Sequence, residues 1–146
     1  MSAVTPQIDD MKDLNKIIKK KYGDKAYTII GGTHASWLPE DCVDDFDCVV
    51  QDEAESIITK ICTEKPTGIH KAERIIDLDT IPHPARHLLP DHRAASADLW
   101  GGYRYSSDGH MGGTLMTSRG CPFACAFCAN VQQKTRFRSA DNVVEE

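Results

Sequence analysis

Three closely spaced cysteines are the residues of this sequence best suited to chemistry. Cys121, Cys125 and Cys128 lie in the segment RGCPFACAFCAN, and their C-x3-C-x2-C spacing allows all three thiols to face one centre. Iron–sulfur clusters are held by thiolates, and a [4Fe-4S] cluster has four irons, so three cysteines leave one iron without a protein ligand. The spacing therefore predicts a [4Fe-4S] site with one iron open to a substrate or cofactor.

Other uses of this cysteine loop stay open. A structural zinc site closes with four ligands, usually as two C-x2-C pairs or as Cys and His pairs, and His110 is a candidate for the fourth ligand. A bacterial ferredoxin uses C-x2-C-x2-C followed by a cysteine and a proline, which this sequence lacks. Three buried thiols that bind nothing are a further alternative. The second hypothesis is therefore a non-catalytic module that binds zinc or an iron–sulfur cluster.

The loop resembles that of the radical S-adenosylmethionine superfamily, including the aromatic Phe127 just before the third cysteine. The resemblance implies that Cys121, Cys125 and Cys128 bind the cluster, and that S-adenosylmethionine chelates the fourth iron. Phe127 would lie against its adenine. An electron from a donor such as flavodoxin or ferredoxin would then release a 5′-deoxyadenosyl radical, which acts on a small-molecule substrate or supports radical methyl transfer. The resemblance thus implies an enzyme.

The elements before the loop alternate between helix and strand. Apolar residues at helical spacing predict a helix from about Pro6 to Lys21, and short apolar runs predict strands at 26–30 and 47–50. A second helix is expected over about 52–62, with a third strand at 74–78. Such alternation predicts a parallel sheet covered by helices, which is an α/β, partial Rossmann-like unit whose first strand is expected upstream of Met1.

The segment that leads to the cysteine loop reads as a connection. Prolines at 82, 84 and 90 interrupt regular hydrogen bonding, and no periodicity follows until a short strand predicted at Thr114–Thr117. After the loop, Ser139 is expected to cap a helix that begins near Ala140. This arrangement fits the first β–α segment of a TIM-like barrel, in which loops after strand ends carry the active site. The predicted division is 1–79, a linker at 80–113, and a barrel start at 114–146.

The upstream segments resemble the cobalamin-binding type of radical S-adenosylmethionine protein. They are SAVTPQI, IIGGTHAS, FDCVVQDEAE and DLDTIPHPARHLLP, at 2–8, 29–36, 46–55 and 77–90. The resemblance implies that residues 1–79 are part of a cobalamin-binding-type Rossmann-like domain. It also implies that Gly31, Gly32 and His34 contact the cofactor, at the sheet edge where α/β folds bind ligands.

Local chemistry offers alternatives for these residues. Paired glycines also make a simple tight turn, and a loop histidine is often solvated or hydrogen-bonded. The family pattern Gly-Glu-Gly-Glu is matched only at Glu53 and Glu55 of this sequence.

Composition restricts the partners. The net charge of −5 gives no sign of a nucleic-acid-binding surface, and the one tight basic run, Lys19 to Lys21, is interpreted as a solvated helix end, so no nucleic-acid partner is expected. No segment approaches the roughly 20 apolar residues of a membrane span, and the first ten residues do not resemble a secretory leader. The expected compartment is the cytoplasm. The remaining cysteines, Cys42, Cys48 and Cys62, are predicted to be small buried core residues.

Overall fold

A computed structural model of the chain describes residues 1–85, Leu88, 115–128 and 134–146. Most of the predicted linker, with His110, lies outside these described residues. The chain divides into two compact units, Met1–Ile75 and Ile76–Glu146. In the described residues, no helix has the combined length and apolar character needed to cross a bilayer.

The first unit is a three-stranded parallel sheet with three α-helices. Its elements, in chain order, are α1 (Ile8–Tyr22), β1 (Ile29–Ile30), α2 (Thr33–Trp37), β2 (Cys48–Gln51), α3 (Ile58–Glu64) and β3 (Gly68–Lys71). The strands lie in the order β1-β2-β3, and β2 is central. Ser2 forms a further parallel bridge with Gly31, beside β1. The predicted parallel α/β unit is confirmed.

Two apolar clusters cover the two faces of this sheet. Neighbouring residues of a strand point to opposite faces, and Val49 belongs to one cluster while Cys48 and Val50 belong to the other. The first cluster includes Ile8 of α1 and Ala35 of α2. The second includes Ile61 of α3. Because β2 is buried on both faces, its run of apolar residues carries no alternation, as is usual for a central parallel strand.

Several predicted boundaries differ from the structure. The third strand is Gly68–Lys71, so the strand predicted at 74–78 is wrong, and Leu78 instead begins a 3-10 turn. The helix predicted from Pro6 begins at Ile8, after a 3-10 turn at Thr5–Gln7. The second helix is likewise shorter than 52–62, because a 3-10 turn at Ala54–Ser56 precedes it.

The apolar residues of α1 predict its buried face only in part: Ile8 is buried and Met11 packs against the core. Leu14 and Ile17 are exposed, whereas Asn15 is buried at 2% exposure. The side-chain amide of Asn15 donates a hydrogen bond to the carbonyl oxygen of Asp45. This bond satisfies the buried NH2 of Asn15, which would otherwise cost free energy, while Oδ1 of the same amide has no hydrogen-bond partner in the described residues. The helix is thus rotated so that an amide, and not Leu14, faces the loop before β2.

The carboxylate of Asp47 joins three elements at the amino end of β2. Its Oδ2 accepts hydrogen bonds from the backbone N–H and the hydroxyl of Thr28, at 2.6 and 2.8 Å. It also accepts one from Lys19 Nζ of α1 at 2.6 Å. Burial alone would raise the pKa of Asp47, but the Lys19 ammonium and the bonds from Thr28 outweigh it and lower that pKa. The ionised carboxylate therefore stabilises the fold.

The second unit contains a short antiparallel ladder and a helix. Strands β4 (Ser118–Arg119) and β5 (Arg136–Phe137) pair in the register Ser118↔Phe137 and Arg119↔Arg136, and α4 (Ala140–Glu145) follows. The predicted cap is confirmed, because Ser139 Oγ accepts the N–H of Asn142 at 3.2 Å.

The strand predicted at Thr114–Thr117 is displaced. Residues 115–117 are not in a strand, and β4 begins at Ser118, while Thr114 lies outside the described residues. The position of β4 follows from its antiparallel pairing with β5, which the sequence pattern did not reveal. A barrel start therefore stays a prediction for this unit.

We predict that Asp47→Asn lowers the free energy of unfolding by about 1 kcal/mol near neutral pH, since charge-assisted hydrogen bonds from Lys19 and Thr28 are weakened. A carboxyl with a lowered pKa in the fold stabilises above its unfolded pKa, near 3.8. The difference between wild type and variant should therefore shrink as pH falls below 3.8. Urea unfolding at several pH values measures it. The exposed Asp44→Asn is the control, and an equal, pH-independent loss in both variants would contradict the assignment.

Candidate functional site

The cysteine loop leaves β4 through a glycine and returns to β5. Gly120 has φ 96, in the left-handed region that favours glycine, directly before Cys121. The N–H of Cys128 donates to the carbonyl oxygen of Cys125 at 3.0 Å, which makes a turn between the second and third cysteines. Cys125 is exposed, and the other two are half-buried. The loop thus presents its central thiol to solvent.

The three cysteine side chains of the loop do not form a ready metal site. Across residues 1–85, 115–128 and 134–146, no three His, Cys, Asp or Glu side chains are placed so that they could hold a metal ion. The donor set nevertheless suits an iron–sulfur cluster, because the loop supplies three thiols on one short segment. The assignment of Cys121, Cys125 and Cys128 as ligands stays a prediction, carried by their spacing.

Two phenylalanines of the loop are largely exposed. Phe127 is 93% exposed and Phe123 is 68% exposed. An exposed aromatic ring offers an apolar face on which a planar ligand can stack. The predicted contact of Phe127 with an adenine is therefore sterically open, and it stays a prediction.

The predicted cofactor glycines lie at the carboxyl end of β1, where the chain's own N-terminal segment occupies the space. Gly32 has φ 91, and a Cβ there would lie 2.5 Å from Ser2 Oγ and 2.9 Å from the backbone N and O of Ala3. A Cβ on Gly31 would meet only the carbonyl oxygen of Val50, at 3.6 Å. Gly32 is thus required by the approach of residues 2–3, and contact of either glycine with a cofactor stays a prediction.

His34 is not in a loop, contrary to the prediction, but in α2, where it is buried at 3% exposure. Its Nε2 lies 2.9 Å from Oδ2 of Asp41, and its Nδ1 lies 3.1 Å from Oγ1 of Thr5. The carboxylate can only accept, so Nε2 carries a proton and donates it. The hydrogen bond from His34, followed by that from Lys12, lowers the pKa of Asp41. Both ring nitrogens are therefore used inside the chain.

Sequence reasoning missed the contacts by which Ser36 of α2 joins the residues that follow β1 and β2. Ser36 Oγ donates to the carbonyl oxygen of Gly32 at 2.9 Å and accepts the N–H of Asp52 at 3.0 Å. Asp52 has φ 66 and stands where the Gly-Glu-Gly-Glu pattern has its first glycine. Asp is among the few residues that tolerate this conformation, because its short polar side chain bonds locally. Asp52, which stands in place of a glycine, therefore keeps the backbone conformation that glycine favours.

The three cysteines outside the loop differ in burial. Cys42 and Cys48 are fully buried, as predicted, and burial raises the pKa of both thiols. Cys62 is exposed on α3, so the prediction that it belongs to the core is wrong. Its helix turns Ile61, and not Cys62, toward the sheet.

Comparison with known proteins finds relatives that are named as enzymes. An uncharacterised methyltransferase of Pyrococcus horikoshii is 28% identical over 161 aligned positions, which cover 100% of this chain and 35% of the relative. A bacteriochlorophyllide d C-8(2)-methyltransferase of Chlorobaculum tepidum is 33% identical over 100 positions, covering 68% of this chain and 21% of the relative.

A third relative is an anaerobic magnesium-protoporphyrin IX monomethyl ester cyclase of Rubrivivax gelatinosus, 24% identical over 99% of this chain and 29% of the relative. No family model and no solved structure matches the chain. The chain thus spans about a third or less of these relatives, and it is similar to methyltransferases and a cyclase.

We predict that Gly32→Ala destabilises the first unit by about 2 kcal/mol or more, because the added Cβ overlaps backbone atoms of Ala3 at a left-handed φ. Gly31→Ala is the matched control, since its Cβ meets only an ordinary contact. Thermal unfolding of both variants measures the difference. Equal melting temperatures would show that residues 2–3 do not pack on Gly32.

We also predict that His34→Ala lowers the free energy of unfolding by about 2–4 kcal/mol, since it opens a cavity and removes the partner of Thr5 and Asp41. The less buried His70→Ala should cost under about 1 kcal/mol. Chemical denaturation of the chain without added cofactor measures both values. A His34→Ala variant as stable as wild type would assign His34 a role other than packing.

Proposed function

We propose that the chain is part of a radical S-adenosylmethionine enzyme that holds a [4Fe-4S] cluster through Cys121, Cys125 and Cys128. The C-x3-C-x2-C loop carries the proposal. Its placement directly after a strand, with the central thiol exposed, supports it. So does similarity along the chain to two methyltransferases and a cyclase.

The loop residues have separate roles in this proposal. The three thiolates hold the cluster and must turn toward a common centre as it assembles, while Gly120 lets the chain turn sharply before the first of them. Phe127 offers its exposed ring to the adenine of S-adenosylmethionine. The bound cluster and S-adenosylmethionine together would supply a 5′-deoxyadenosyl radical. Electrons would come from a donor such as flavodoxin or ferredoxin.

We further propose that the protein is of the cobalamin-binding type, in which residues 1–79 are part of the Rossmann-like domain, 80–113 the linker and 114–146 the start of the barrel. This finer assignment rests on the sequence segments alone. In the described contacts, His34 offers no free ring nitrogen and Gly32 faces the chain's own N-terminal segment. Because contacts within the chain occupy His34 and Gly32, these two residues do not fit a cobalamin-binding surface, and the proposed chemistry does not involve cobalamin.

The class of reaction is best taken from the relatives. Two of the three are named as methyltransferases, which favours methyl transfer over other radical reactions. The chain covers only part of each relative, so the activity and the small-molecule substrate belong to the whole protein. No nucleic-acid or membrane partner is included in the proposal.

A non-catalytic zinc or iron–sulfur module remains the second candidate function, because an exposed cysteine loop can also bind a structural metal. The two candidates differ in whether the metal site responds to S-adenosylmethionine. A closed zinc site with four ligands has no open position for it, whereas a three-cysteine cluster has one.

We predict that anaerobic reconstitution with iron and sulfide gives about four irons per chain and a visible absorption band. The EPR spectrum of the reduced cluster should change when S-adenosylmethionine is added. Cys125→Ala should lose the cluster, and Cys62→Ala should keep it, since both thiols are exposed but only the first is in the loop. Zinc retained in place of iron, or equal loss of iron in both variants, would reject the proposal.

A further inference from the structure

The ladder that closes the cysteine loop is too short to hold it by itself. β4 and β5 form only the pairs Ser118↔Phe137 and Arg119↔Arg136, while residues 120–135 lie between them. An isolated two-stranded ladder is marginal in water, and closing a loop costs chain entropy. Further contacts must therefore fix the ends of this loop.

Arg138 supplies such contacts to the two residues that precede β4. Its backbone N–H donates to the carbonyl oxygen of Thr117 at 2.9 Å, which extends the ladder by one step. Its Nη1 donates to the carbonyl oxygen of Met116 at 3.1 Å. One residue after the loop thus holds two residues before it.

The same guanidinium also binds the helix that follows the loop. Its Nε donates to Oδ1 of Asn142 at 2.6 Å, and its Nη2 donates to the backbone oxygen of Asn142 at 3.2 Å. Nη1 forms an ion pair with Glu146. The side chains of Arg138 and Glu146 are only 11% and 4% exposed, so solvent screens this pair less than a surface pair. The contacts therefore form one linked, mostly shielded set.

The geometry suits arginine and not lysine. A guanidinium is planar and carries five N–H donors in a fixed fork, so it can reach a strand and a helix at the same time. A lysine would keep the charge at position 138 but present one compact ammonium. Charge alone would therefore not replace Arg138.

We propose that Arg138 is a positioning residue for the cysteine loop: it joins Met116 and Thr117, directly before β4, to the helix after the loop, and so fixes both ends of the segment that carries the three cysteines. This inference rests on the proposed function, since the loop is taken to bind a cluster. Asn142 and Glu146 act through Arg138, and none of the three touches the metal.

The first measurement uses the metal-free chain. Hydrogen exchange at the amides of Cys128 and residue 138, which are bonded to Cys125 and Thr117, should be about tenfold faster in Arg138→Lys than in wild type, as expected for losing a charge-assisted bond. Ser139→Ala is the stability control, because it weakens α4 at its cap and leaves the Met116 bond in place. Equal exchange in both variants would overturn the proposal.

The second measurement uses the reconstituted chain. Arg138→Lys and Asn142→Leu should release iron to a chelator about tenfold faster than wild type and shift the midpoint potential of the cluster, since losing a charge-assisted bond loosens the loop ends. Asn142→Asp keeps an oxygen that can accept the hydrogen bond from Arg138 Nε, so its iron release and midpoint potential should match those of wild type. Glu146→Gln should also speed release, while its neighbour Glu145→Gln, which is exposed, should not.

The outcomes separate this inference from the proposed function. If wild type assembles the cluster and Arg138→Lys matches Ser139→Ala in exchange, iron release and potential, Arg138 is only a structural residue and the inference fails. If wild type assembles no cluster, the proposed function fails, and a role for Arg138 in positioning cluster ligands falls with it.

Discussion

One oxygen, Oδ2 of Asp47, links the helix before the sheet to two of its strands. It receives the ammonium of Lys19 together with the N–H and hydroxyl of Thr28. Because these donors come from α1 and from the residue before β1, the carboxylate sets where β2 begins beside β1. The register Ile29↔Cys48 follows directly after these bonds. With the register fixed, successive residues of β2 face opposite clusters of the core.

The carboxyl end of the sheet also depends on that register, and close contacts within the chain hold it together. Gly32 admits the N-terminal segment, and His34 joins the first 3-10 turn to Asp41. Ser36 links the ends of β1 and β2 through Asp52. Polar groups at this edge are therefore satisfied by one another, in a region where α/β folds commonly place ligands. The unit is held at both ends by hydrogen bonds to side chains, because its strands are too short for backbone pairing alone.

In the second unit, a ladder of only two residue pairs, between β4 and β5, closes the cysteine loop. Gly120 provides the left-handed turn before the first cysteine, and Ser139 caps the helix after the ladder. Arg138 lies between these features and bonds to both sides of the loop. In the proposed function, such a loop, with fixed ends and the exposed thiol of Cys125, would bind its cluster without refolding of the elements around it.

The sequence by itself determined the parallel α/β pattern, the cap at Ser139 and the spacing of the three loop cysteines, because periodicity, capping and motif spacing are local properties of the chain. Only the tertiary structure decided which face of α1 is buried and where the third strand lies, since an amide such as Asn15 is buried only if a distant carbonyl accepts its bond. It also decided the role of His34, whose partners are 29 and 7 residues away. The contacts of Arg138 also depend on the tertiary structure. They join residues on the two sides of a long loop, and a local sequence pattern does not reveal such pairs.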